Sequence, residues 1–175
     1  MSKTRKMLSD WNAPYIQSIV KITETQSKVT LATWVLDYAE QILVPMFRKY
    51  YPDDMRPQNA ISAARKWLAG EIKFPLAKAA ILQCHGAARE AEENPGAQAA
   101  ARAIGQSAST IHAAGHCMGL PLYGALAIAY DTLGTDAPWD KLEECAGDEC
   151  GRMLDALNAI AVENEPNPVK INWKC

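Results

Sequence analysis

Alanine crowds residues 77–129 of this chain, and apolar residues elsewhere recur at spacings of three and four. The β-branched clusters that mark strands are missing apart from short runs near Ile19 and Val29, so the pattern predicts a chain that is nearly all helix. Small side chains at a helix crossing let the axes approach closer than the usual 8–10 Å, about the separation larger residues impose, and Gly115 and Gly119 aid such an approach. The fold expected is an all-α, single-domain bundle of about six helices around an alanine-rich central hairpin. Trp34, Phe47, Trp67 and Trp139 supply most of its apolar area.

Helix starts and stops follow from proline and glycine. A short helix is expected over Ala13 to Thr25, then a longer one from Thr30 to Tyr50 with Leu31, Trp34, Val35, Tyr38, Ile42 and Met46 on one side and a kink at Pro45. Pro57 opens the next, which carries Ile61, Ala64, Trp67 and Leu68 and stops at Gly70. Pro75 opens a third, from Phe74 to Glu93, with Leu76, Ala80, Gln83, Ala87 and Ala91 along one side. A fourth begins at Pro95 and runs to Met118, with a continuation to Gly134. The last amphipathic helix starts near Asp136 and Pro138, and buries Trp139, Leu142, Cys145 or Ala146, Met153 and Leu157. By this reading residues 1–29 are a helical extension, 30–166 the bundle and 167–175 an irregular tail.

Bulk properties narrow the function. At 175 residues the chain is long enough to bury about 70 per cent of its unfolded surface without disulfides or metal. Its net charge is −2, and apart from the Lys3, Arg5, Lys6 opening the basic residues are scattered, which leaves no stripe for a phosphate backbone. Nucleic acid is not an expected partner, nor is a membrane: no apolar run approaches the roughly 20 residues of a span. The opening residues lack a signal-peptide core, so a cytoplasmic protein is expected. Five cysteines without framework spacing point to reduced thiols, with Cys175 exposed.

The chain has three histidines, and each carries or adjoins a cysteine neighbourhood: His85 follows Cys84, and His112 and His116 precede Cys117. On a helix His112 and His116 share a face, the geometry in which two imidazoles bind zinc or iron, and His85 is the candidate third ligand. The hairpin register opposes this, since His85 precedes the Asn94-Pro95 break by nine residues and His112 follows it by about seventeen, a mismatch of roughly 10 Å at the helical rise. Histidines that fix helix register through hydrogen bonds are the alternative. Adjacent residues on a helix point about 100° apart, so a thiol–histidine dyad requires pairing across helices, Cys84 with His116 or His85 with Cys117. Trp34, Asp37 and Glu40 with Arg48 are a candidate polar rim, with Asp53, Asp54 and Arg56 on the connector beside it. Arg89 and Arg102 are expected to pair with Glu90, Asp37 or Asp54. The acids of the last helix, Asp140, Glu143, Glu144, Asp148, Glu149 and Asp155, read as a solvated face or as a docking surface for a basic protein.

The run from Trp34 through Asp37 to Glu40, then Asp54-Met55-Arg56-Pro57, Ala60-Ile61 and Trp67, resembles the Imm-5-like family of short all-helical bacterial immunity proteins. Cys84-His85 with Ala87-Ala88-Arg89, the segment Ala101-Arg102 to Gly105-Gln106, and the pair His112 and His116 also look like that family, so the resemblance covers residues 30–130. It implies a protein that neutralises a toxin by contact and not by catalysis, with no catalytic residue to carry over. It also nominates His85, Arg89, Arg102, Gln106, His112 and His116 as a shared polar site. The acidic final helix is a departure, since the family is expected to finish soon after the histidines. A protein-binding immunity protein is therefore the leading expectation. Its rivals are a small metal enzyme built on His85, His112 and His116, and an architectural homodimer.

Overall fold

The computed structural model describes residues 4–173, so Lys3 and the expected exposed Cys175 lie outside the described residues. Among the described residues eight α-helices follow one another: α1 (Pro14–Thr23), α2 (Lys28–Tyr38), α3 (Val44–Tyr50), α4 (Arg56–Leu68), α5 (Phe74–Glu90), α6 (Pro95–Ser109), α7 (Leu126–Leu133) and α8 (Trp139–Ile160). No strand occurs among the described residues. Proline stands in the first turn of α1, α4, α5 and α6, where a missing N–H leaves no bond unmade. Ser27 caps α2 by accepting from the Thr30 N–H, and Asn94 caps α6 by accepting from the Ala97 N–H at 3.0 Å. Gly134 ends α7 with φ at +84°, a conformation that side chains disfavour.

The kink expected at Pro45 is absorbed by a π turn over Ala39–Leu43, which joins α2 to α3 without a loop. Here the Val44 N–H reaches five residues back to the Ala39 carbonyl. One added residue advances the helix face by about 100°, which is why Ile42 is 42% exposed while Met46 and Phe47 are buried. A second π turn, Leu120–Ala125, contains Pro121 and leads into α7.

Helix α6 is the axis of the bundle. It packs against α2, α3, α4, α5 and α7, while α8 closes the other side against α1, α2 and α7. Helices α5 and α6 form the alanine hairpin, in contact close enough for the Cys84 thiol to donate to the Ala101 carbonyl at 3.3 Å. The buried stripe of α5 is Ala77, Ile81, Cys84, Ala87, Ala88 and Ala91. Leu76 is 63% exposed and Gln83 is also exposed, which corrects the face expected for this helix. Alanines on several sides of α5 give its hydrophobic pattern little amplitude, so flanking α4 and α6 decide which side is buried.

Two further expectations are corrected. Trp34 is buried, not part of a rim: its indole N–H donates to the Met153 carbonyl at 2.9 Å and ties α2 to α8. Glu149 is also buried, although it was grouped with the solvated acids of α8. It accepts from Arg152 Nε at 2.7 Å and from the Tyr38 hydroxyl. Burial, followed by the adjoining Glu149, holds the Tyr38 phenol well above its ordinary range, so it serves as a donor throughout the physiological range.

The segment after α8 returns to the start of α2. Glu165 accepts from the Ser27 N–H, the Ser27 hydroxyl and the Thr30 hydroxyl at 2.7, 2.8 and 2.5 Å, which sets a carboxylate at the positive end of that helix. Gln26 joins the same segment through Val162 and through its own carbonyl, which accepts from the Val169 N–H at 2.9 Å.

Candidate functional site

Helix α6 stops at Ser109, nine residues before the expected end at Met118. Near this end Ser107, Ser109 and Thr110 bond back to the carbonyls of Ala103, Gly105 and Gln106 at 2.7, 2.8 and 3.2 Å, bonds that weaken a helix slightly. The chain then turns and forms a 3-10 segment over Ala114–Met118. His112 and His116 are therefore not on one α-helix. They are still neighbours, with ring centroids 5.6 Å apart.

This fold-back brings His116 over α6, where its Nδ1 donates to Gln106 Oε1 at 2.7 Å. That pairing places the proton of the neutral ring on Nδ1 and leaves Nε2 as an acceptor. The close approach depends on Gly119, since a Cβ there would stand 2.2 Å from Gln106 Cβ. His85 lies across Gly105 in the same manner, its Cε1 only 2.6 Å from where a Cβ would be. His112 sits at the edge, exposed, with its ring 5.2 Å from that of Phe74, which in turn meets Trp67 at 6.0 Å.

Of the six residues nominated from the sequence, His85, Arg89, Arg102, Gln106 and His116 converge, and His112 borders them. Burial pulls His85 below its ordinary pKa, and the positive charges of Arg89, His116 and Arg102 add to the effect. His112 is lowered by burial and then by Lys28 and Lys78, and His116 by burial and then by His112. The charged groups acting on these three rings are all basic. No group of three His, Cys, Asp or Glu side chains among the described residues is arranged to hold a metal ion.

The arginines divide into two kinds. Arg56 holds Asp54 and Glu90 at 2.8 and 2.6 Å, and Arg65 holds Asp37 and Glu40, each at 2.7 Å. Asp37 and Glu40 thus pair with Arg65 and not with Arg48, whose side chain bonds instead to the Pro52 carbonyl. Arg89 and Arg102, expected to take up Glu90, Asp37 or Asp54, form no salt bridge among the described residues, because Arg56 and Arg65 already occupy those acids. Residues Tyr50 to Asp54 with Arg56 line a separate cleft of about 520 Å³ on the connector.

The thiols near the histidines are withdrawn. Cys84 and Cys117 are buried, and burial pushes each thiol up to about 12, far from the thiolate a nucleophile needs. Neither makes a cross-helix pair with a histidine. The cysteine side chains described are all free.

Sequence reasoning missed Lys78, Leu82 and Gln98. Lys78, Leu82, His85 and Arg89 stand at i, i+4, i+7 and i+11, one ridge of α5, and Leu82 is 56% exposed. Gln98, Arg102 and Gln106, at i, i+4 and i+8, are the positions after Pro95 at which α6 is not buried. Both spacings are visible in the sequence, but they identify a face only once the burial of the intervening alanines is known.

An all-helical fold with a polar, histidine- and arginine-bearing face defines the class. The family model described as "Imm-5 like putative immunity protein" matches residues 21–156, and the chain belongs to that family. The match extends beyond the expected 30–130 at both ends and takes in most of α8, so the acidic helix is part of the family's domain and not an addition to it. No curated protein and no solved structure matches the chain. No helix among the described residues is long and apolar enough to cross a membrane.

Proposed function

We propose that this chain is an immunity protein that neutralises a bacterial toxin by direct contact, without catalysis. The observation that carries the reading is family membership across residues 21–156. The geometry agrees with it. The thiols beside the histidines, Cys84 and Cys117, are withdrawn into the core, and His85 and His116 are packed against α6. Shape and charge on a fixed scaffold are what a stoichiometric inhibitor requires, because rigid partners lose less on association.

The test is co-expression with candidate toxins, taken first from the genes that flank this chain's own. Growth of a sensitive bacterial host is restored, and the two proteins co-purify as a complex of fixed stoichiometry. Unrestored growth with both proteins present in soluble form refutes the reading.

A further inference from the structure

We propose that the paired ridges of α5 and α6 form a docking face for a carboxylate-rich segment of a protein partner, with Arg89 and Arg102 as its anchors and Leu82 as its apolar contact. This deepens the immunity reading and rests on it for the identity of the partner.

The face follows from the packing of α6. That helix is buried on nearly every side, and what it shows to solvent is the ridge Gln98, Arg102 and Gln106. Beside it, antiparallel, runs the α5 ridge Lys78, Leu82, His85 and Arg89. The two ridges are locked together: Gln98 donates to the Ala88 carbonyl at 2.9 Å, and the His85 ring rests on Gly105. His116 continues the surface beyond Gln106.

Charge identifies the occupant. The chain has 20 acidic residues and 18 basic ones, so acids are not scarce. Arg56, Arg65 and Arg152 each hold carboxylates, yet Arg89 and Arg102 hold none among the described residues. Glu92, just past the end of α5, makes no salt bridge with either. A guanidinium offers a planar fork of donors that matches a carboxylate. Two forks that hold no carboxylate of their own on adjacent ridges, with Lys78 on the same side and Glu90 beside Arg89 already taken up by Arg56, present the complement of an acidic surface. Leu82, 56% exposed between Lys78 and His85, adds an apolar contact that a polyphosphate backbone would not use.

The test has two arms, both on the full chain. In the first, a deca-glutamate peptide is titrated at low ionic strength against a single-stranded DNA ten-mer, with the His85 Cε1–H and the arginine Nε–H signals followed by NMR. The peptide shifts His85, Arg89 and Arg102 saturably, added salt reverses this, and Arg89→Glu with Arg102→Glu abolishes it. A control of equal charge change elsewhere, Lys21→Glu with Lys66→Glu, retains it. Should the double reversal disturb the fold by circular dichroism, Arg89→Gln with Arg102→Gln replaces it. No shift at millimolar peptide, shifts centred elsewhere, equal loss in the control or tighter binding of the DNA overturns the proposal.

In the second arm the Arg89→Glu, Arg102→Glu chain is tested against the toxin that the co-expression test identifies, where affinity falls by about 30-fold or more. Unaltered affinity overturns the docking face and leaves the immunity reading intact. Absence of any toxin binding by the wild-type chain refutes the immunity reading, and the peptide arm still decides the chemistry of the face.

Discussion

Gly119→Ala probes the contact that positions His116. Gly119 has helical angles, φ −62° and ψ −29°, so alanine introduces no backbone strain there. By restricting the unfolded chain it contributes about 0.4–1 kcal/mol in favour of folding. The opposing effect is steric. The new Cβ would stand 2.2 Å from Gln106 Cβ and 2.6 Å from its Cγ, whereas carbon atoms pack best at about 3.5–4.0 Å. The offending atoms are the root of the glutamine side chain, and no rotation about χ1 moves a Cβ. The 3-10 segment and α6 must separate, at a cost near the upper end of the roughly 1–3 kcal/mol typical of overpacking. The net loss is about 2 kcal/mol, or about 4–8 °C in Tm for a domain of this size. Urea denaturation of the single and double variants with Gln106→Ala and Gln106→Gly measures it. Gln106→Ala keeps the clashing Cβ and leaves most of the loss in place, while Gln106→Gly removes it and shows a coupling of at least about 1 kcal/mol. A Gly119→Ala stability within about 0.5 kcal/mol of wild type, or equal rescue by both Gln106 variants, refutes the reasoning.

Arg152→Ala strands the Glu149 carboxylate in the α8 core with only the Tyr38 hydroxyl, and lowers stability by about 2 kcal/mol, less than a fully buried pair because Arg152 is 60% exposed; chemical denaturation reads it, and Arg152→Lys recovers part. In native protein carrying Cys175→Ser, a thiol reagent at pH 8 modifies Cys145 first, while Cys84, Cys117 and Cys150, raised to about 12 by burial, react only at the rate of unfolding; mass spectrometry of the labelled peptides checks the order. The three histidines have folded-state pKa values below the unfolded 6.5, so the unfolded chain binds more protons as pH falls through 6.5. Their contribution to stability is complete above that pH and is lost below it. Tm therefore declines from pH 6.5 to 5, before the lowered carboxylates Asp54 and Glu40 protonate, and a triple His→Gln variant flattens that limb.

Helical class and most starting points are legible in the chain because prolines at first turns and the caps Ser27 and Asn94 act locally. What is not legible is phase and partner. In α5 the alanines leave the buried side to be chosen by α4 and α6, so spacing alone points Leu76 inward and does not single out Lys78 and Leu82. The end of α6 at Ser109 is a further feature that a helical periodicity through Met118 does not register. The geometry around His85, Gln106 and His116 rests on two glycines, Gly105 and Gly119, whose close approaches are properties of tertiary packing. Ion pairing was the least legible. Which arginine takes Glu90 depends on the angle between α4 and α5, and Arg56 takes it in place of the nearer-in-sequence Arg89.

The binding of Glu165 and Val169 to the opening turn of α2 carries a consequence for biosynthesis. A nascent chain emerging from the ribosome presents α2 long before the residues that clasp it have been translated, and α8, against which Trp34 anchors, arrives late as well. Early helices must wait, loosely gathered, until α8 and the segment after it have been made, and a chain cut short before α8 would display an incompletely latched bundle.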